Sequence, residues 1–200
     1  MRSKRVAFGF IATLATAILA TMLSANHVLS DDWNHPNHDR DDDDEHLAND
    51  SRVKQGFEIA PVDLDFHGKN RAMVGLGSYF VNATGGCNDC HTCPPYEAGD
   101  DPYTGGHGHP NKQHYLAGGH HFGPFVTSAN LTPQNGLPAG LTEERFIHTI
   151  RTGEDPDHPH QLLQVMPWPV FRNLTDRDLK AIYAYLSSIP TALPGDCPNP

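Results

Sequence analysis

The chain has 200 residues, a formal charge of −10 and 38% hydrophobic side chains, enough for one ordinary domain with extensions and too few for two large ones. An acidic balance of this size excludes nucleic acid as the partner, because phosphates demand a basic face.

The N-terminus reads MRSKR, a short basic stretch, followed by the uncharged, small-residue-rich run VAFGFIATLATAILATMLSA. This is the layout of a secretory signal, so residues 1–25 are read as a signal peptide, with cleavage after Ala25 or after Ser30. The apolar run has the length of a membrane span, and an uncleaved anchor with membrane association is the competing reading. The expected location is periplasmic or otherwise exported.

Residues 31–50 hold nine acids against the single Arg40 and almost no apolar side chains. Such a segment cannot bury enough surface to offset its ordering entropy. Residues 26–52 are therefore read as an acidic disordered linker, and residues 53–200 as the folded domain.

Three helices are expected within that domain. The first covers residues 70–82, with Met73, Leu76 and Phe80 recurring on one side. The second starts from Thr142 as N-cap, places Glu143 and Glu144 in its first turn, buries Phe146, Ile147 and Ile150, and stops at Gly153. The third starts from Thr175 with Asp178 three residues on and turns Leu179, Ile182, Tyr183, Leu186 and Ile189 inward, ending at Pro190. Residues 93–140 show little regular pattern, and a loop of that length implies that something other than secondary structure supplies its core.

Residues 87–91 read Cys-Asn-Asp-Cys-His, the C-x-x-C-H pattern of covalent haem attachment. Two thiols three residues apart on a helical turn reach two vinyl groups on one porphyrin edge, and the following imidazole falls beneath the iron. The expectation is one covalent haem c on Cys87 and Cys90, with His91 as an axial ligand. A zinc knuckle would ordinarily need a second ligand pair, and a dithiol redox site would want a strand before the motif. Cys90 and Cys93 form an overlapping second pair, but Pro94 rather than His follows it.

Beyond the leader, Met73 and Met166 are the available thioethers. Met73 lies on the helix leading into the motif, whereas Met166 stands in the proline-stiffened segment QVMPWPVF and is the expected second axial ligand. His114, His120, His121 and His160 are the rivals. His/Met ligation fills both axial positions and raises the potential, which predicts a single-electron carrier and not an enzyme. The alternatives are a haem enzyme or gas sensor with an open distal site, and a His-rich metal-binding protein.

On the stretches GLGSYFVNATGGCNDCHTC, YLAGGHHFGPFVTSANLTP, LTEERFIHTIRTG and MPWPVFRNLTDRDLKAIYAYL, residues 70–190 resemble class I-like monohaem c-type cytochromes. The likeness is greatest to the cytochrome c domains of periplasmic dehydrogenase cytochrome subunits. The resemblance implies an all-α, cytochrome c-like fold of a few helices wrapped around the haem, with long loops. It implies that the first and last helices cross where Gly77 meets Tyr183 or Tyr185, that His91 and Met166 are axial ligands, and that residues 130–133 lie along the haem edge. Its implied partners are redox proteins, a dehydrogenase or a terminal oxidase.

Cys93 and Cys197 remain after haem attachment, and a disulfide between them would tie the C-terminal tail to the motif segment. His107, His109, His114, His120 and His121 are dense enough to raise copper, zinc or nickel binding, with solvated loop histidines as the plainer reading. His148 and His158 are read as surface or helix-end groups. Asn49, Asn82, Asn130 and Asn173 begin N-x-S/T matches expected to stay unmodified. Trp168 is expected to pack on the porphyrin or on the last helix.

Overall fold

The computed structural model describes residues 46–47 and 50–197. The leader and nearly all of the acidic linker lie outside the described residues. Among the described residues no helix is long and apolar enough to cross a membrane.

Helix α1 (Ser51–Ile59) is capped by Asp50, whose carboxylate accepts from the Arg52 backbone N–H and pairs with its guanidinium at 2.5 Å. Helix α2 (Arg71–Tyr79) starts from Asn70, whose side chain accepts from the N–H groups of Ala72 and Met73 at 2.9 and 3.2 Å. It runs into one π-helical turn over Phe80–Thr84, closed by the Gly85 N–H on the Phe80 carbonyl at 2.7 Å. The chain then enters the short helix α3 (Cys87–His91) through Gly86, which adopts φ 56°.

Helices α4 (Glu143–Thr152) and α6 (Asp176–Leu186) follow the sequence reading closely. Thr142 caps α4, Gly153 ends it in the left-handed region at φ 74°, and Thr175 with Asp178 completes a reciprocal capping box on α6. Between them lies the one-turn helix α5 (Trp168–Phe171). Arg151 staples the end of α4 to the start of α6, donating to the Leu174 carbonyl at 2.5 Å and pairing with Asp176 at 2.6 Å.

The chain is not all-α. Two small antiparallel sheets occupy the long loop: β1 (His121–Phe122) with β2 (Val126–Thr127), and β3 (Pro133–Gln134) with β4 (Leu137–Pro138). The registers pair His121 with Thr127 and Gln134 with Leu137. Strands of two residues are too short for alternation to register in the sequence. The loop takes its order from burying Tyr115, Leu116 and Ala117 and from backbone hydrogen bonds such as Leu131 N–H to the Leu116 carbonyl at 2.8 Å. The expected haem-wrapped all-α fold is thus corrected to a mainly helical chain with two small sheets and side-chain cores.

Helix α2 holds α1 and α6 at close range. A Cβ on Gly56 would fall 1.9 Å from the Gly75 carbonyl oxygen, and one on Gly77 would fall 1.9 Å from that of Ala181 and 2.8 Å from Tyr185 Cβ. Gly77 therefore stands at the α2–α6 crossing and meets Tyr185 of the two expected tyrosines. One core cluster gathers Val74, Val81, Leu116, Phe146, Ile150, Leu179, Tyr185 and Leu186; a second gathers Leu47, Val53, Ala72, Leu76 and Ala181.

Gly77→Val is expected to force α2 and α6 apart and lower unfolding free energy by about 1–3 kcal/mol or more, the usual cost of overpacking. Urea denaturation of the two proteins checks this; equal midpoints would show that the crossing can yield.

Candidate functional site

Cys87, Cys90 and His91 share one five-residue helix, α3, so the structure brings these three expected site residues together on a single turn. The position of that turn follows from α2 and its π-helical extension. Cys87 packs against the main core cluster, and burial pushes its thiol up to about 12. Burial first, then the Asp89 charge, also raises the Cys90 thiol. Both thiols are therefore held in the neutral form near neutral pH.

His91 is fixed from the other side of the site. Its Nδ1 lies 2.8 Å from the Ala129 carbonyl oxygen. A carbonyl only accepts, so Nδ1 carries the proton and Nε2 keeps its lone pair. Burial lowers the pKa of the ring, and the Ala129 bond opposes that shift. Asp89, in the same turn, accepts hydrogen bonds from the hydroxyls of Tyr96 and Tyr103.

Behind Cys87 lies a buried polar network that the sequence reading does not reveal. Tyr115 and Tyr185 hydroxyls are 3.0 Å apart. Asn82 accepts from Tyr115 and donates to the Tyr185 hydroxyl at 3.1 Å and to Ser78 Oγ at 3.0 Å. Ser78 Oγ in turn donates to the Gly56 carbonyl at 2.6 Å. Burial is the leading cause that raises both tyrosine hydroxyls, and the Cys87 charge state acts on both. Asn82 is thereby occupied by hydrogen bonds inside the protein. The buried polar residue Ser78 sits between Gly77 and Tyr79 in α2, a sparse signal from which no partner could be read.

Met166 is half-buried against the main core cluster, and its carbonyl accepts from the Trp168 N–H at 2.8 Å. The Trp168 ring lies against Gly153. A Cβ on Gly153 would be 2.2 Å from its ring, so the indole covers the C-terminal end of α4, with Nε1 donating to the Leu163 carbonyl at 3.2 Å. Residues 130–133 face the C-terminal tail: Asn130 donates to the Ala192 carbonyl at 2.9 Å, and Thr191 donates to the Pro133 carbonyl at 2.9 Å.

The loop histidines take different partners, with His107 and His109 side by side on Asp100. His109 pairs with Asp100, His114 Nδ1 lies 2.8 Å from the Leu193 carbonyl, His120 rests on Phe122 with ring centroids 4.8 Å apart, and His121 pairs with Thr127 at 3.0 Å. Cys93 and Cys197 are joined in a disulfide that spans 104 residues of sequence, while Cys87 and Cys90 are free thiols.

No family model matches the chain, and no solved structure matches it. It is similar to the fructose dehydrogenase cytochrome subunit of Gluconobacter japonicus, 31% identical over 135 residues, or 66% of this chain and 24% of that protein. It is also similar to a nicotinate dehydrogenase subunit of Pseudomonas putida, 35% identical over 133 residues, or 66% of this chain and 10% of that protein. The match thus takes in less than a quarter of either relative's length. What the chain has is a distant likeness to dehydrogenase subunits, a redox-related setting.

These findings correct the haem-centred expectations. The sulfur–sulfur bond joins Cys93 to Cys197, and among the described residues no group of three or more His, Cys, Asp or Glu converges to hold a metal ion. The five contiguous residues of the C-x-x-C-H pattern fix a spacing and nothing beyond it, and the distant similarity does not extend to a class. The class I monohaem assignment, the covalent haem c with its iron, the electron carrier built on them, and the open-site and His-rich metal-binding alternatives are accordingly not retained.

Tyr115→Phe is expected to cost roughly 1–3 kcal/mol of stability, because it strips a buried acceptor on Asn82 of its donor. The exposed Tyr103→Phe should stay within about 0.5 kcal/mol of the parent. Chemical denaturation compares the two, and equal losses would show the buried network to be replaceable.

Proposed function

We propose that this chain is an exported, non-catalytic subunit or partner of a dehydrogenase-type redox enzyme, acting through Cys87, Cys90, His91 and Met166. The observation that carries the reading is the build of α3: one turn presents two neutral thiols and an imidazole whose Nε2 lone pair is left open by the Nδ1 bond to Ala129. The likeness to two dehydrogenase subunits supports the setting. The basic and apolar N-terminal run supports export.

Thiol–disulfide exchange fits the site poorly. The thiolate is the reacting species in that chemistry, and burial has pushed the Cys87 thiol up to about 12. The acidic balance of the chain favours a partner with a basic docking face, a preference that governs association rate more than identity.

Removing the gene from its host is expected to lower oxygen uptake by washed cells supplied with oxidisable sugars, hydroxy acids or heteroaromatic acids. Wild-type protein should restore it, whereas Cys87→Ser, Cys90→Ser or His91→Ala, each confirmed as folded and exported, should not. Uptake that is equal in deleted and parent cells across the panel would refute the reading. Mass spectrometry of the peptide spanning residues 87–91 from the native protein then reads the chemical state of the two thiols directly.

A further inference from the structure

We infer that the C-terminal tail, residues 190–197, is a latch that positions His91, held shut by the Cys93–Cys197 disulfide. The inference rests on the reading of His91 as a working residue of the site, and it assigns to the tail a role that neither the motif nor the relatives supply.

The route from tail to imidazole is short and continuous. Cys197 is bonded to Cys93, which is fully buried two residues beyond His91. Just before Cys197, the tail lies against the motif segment so closely that a Cβ on Gly195 would fall 1.9 Å from the Cys93 carbonyl oxygen. A Cβ on Gly119 would fall 2.9 Å from Pro194 Cβ. Further back, the Ala192 carbonyl accepts from Asn130 Nδ2 at 2.9 Å, its N–H donates to Thr132 Oγ1 at 3.3 Å, and Thr191 reaches the Pro133 carbonyl at 2.9 Å. His114 bonds the Leu193 carbonyl at 2.8 Å.

The segments gripped in this way are the ones that touch His91. Ala129, whose carbonyl accepts from His91 Nδ1, adjoins Asn130. Gly118 donates to the His91 carbonyl at 2.7 Å, and a Cβ on Gly118 would fall 2.6 Å from the Ala129 carbonyl carbon. Gly119 and Ser128 are bonded at 3.0 Å, which closes the frame. Tyr115, Leu116 and Ala117 are anchored in the core, but beyond them no regular element other than two-residue strands stiffens the segment up to residue 133, so the geometry of residues 118–133 also depends on what clamps them from outside. The tail is that clamp, and the disulfide anchors its far end to the motif segment.

Cys197→Ser in the full chain tests the latch. Amides of Gly118, Gly119 and Leu131 are expected to exchange with deuterium at least about tenfold faster than in the parent, with α2 and α6 amides unchanged. Nitrogen NMR at one fixed pH should show the His91 ring passing from a single Nδ1–H tautomer to a mixture. Asn130→Ala, which keeps the disulfide and removes the link to Ala192, should move the same two signals, and it serves if Cys197→Ser fails to fold. Unchanged loop exchange and an unchanged tautomer in the folded variants would overturn the latch. Because both readouts are independent of activity, loosened loops with undiminished oxygen uptake would uphold the latch and count against the proposed function instead.

Discussion

The structure depends on backbone-to-backbone contact along α2. Gly75 admits α1 at Gly56 on one side, and Gly77 admits α6 at Ala181 on another, each approach leaving no room for a Cβ. Helices this close bring their buried side chains into contact without long residues, which suits a small domain with little apolar surface to spare. The same contact fixes the direction in which α2 leaves the core. Its π-helical turn and Gly86 then deliver Cys87 against the main cluster and leave α3 at the edge.

Two frames of different character meet at that five-residue helix. The Cys87 side is backed by the tightly packed helices and by the Tyr115, Tyr185, Asn82 and Ser78 network, where every polar atom named has found a partner. Satisfied networks of this kind rigidify a core, since leaving any member unpaired is costly. The His91 side is backed by loop and tail, through backbone bonds and one cross-link. A half-buried thiol backed by tightly packed helices and an imidazole held by a clamped loop differ in how readily they can move.

Legibility in the sequence follows the range of the signal. Helices α4 and α6 are readable because their caps and apolar spacing are local: Thr142 and Gly153 for one, Thr175 and Asp178 for the other. Helix α1 escapes because SRVKQGFEI carries Gly56 at its buried face, where a periodic reading expects a large apolar residue. The β3–β4 hairpin does carry a local signal. Asn135 and Gly136 form its two-residue turn with φ 52° and 82°, the conformation that Asn-Gly sequences favour. The site divides along the same line. Cys87, Cys90 and His91 fall together because they are nearly contiguous, and the Cys93–Cys197 pair is suggested by the two cysteines left over. Haem class and carrier function need long-range information, and the sulfur bonding, the side-chain grouping and the partial similarity do not supply it. The histidine cluster misleads for a related reason. Density in sequence counts neighbours along the chain, whereas Asp100 engages His107 and His109 together, and Leu193, Phe122 and Thr127 each engage a different histidine.

Asn82, Tyr115 and Tyr185 are each visible as residues, yet their meeting depends on separations of 33 and 70 positions, which only the α2–α6 crossing and the folded loop bring together. The crossing that lets the helices touch therefore also assembles the polar wall behind Cys87. Packing and site are set by one constraint, and a change that opened the helices would reach the thiol before it reached the surface.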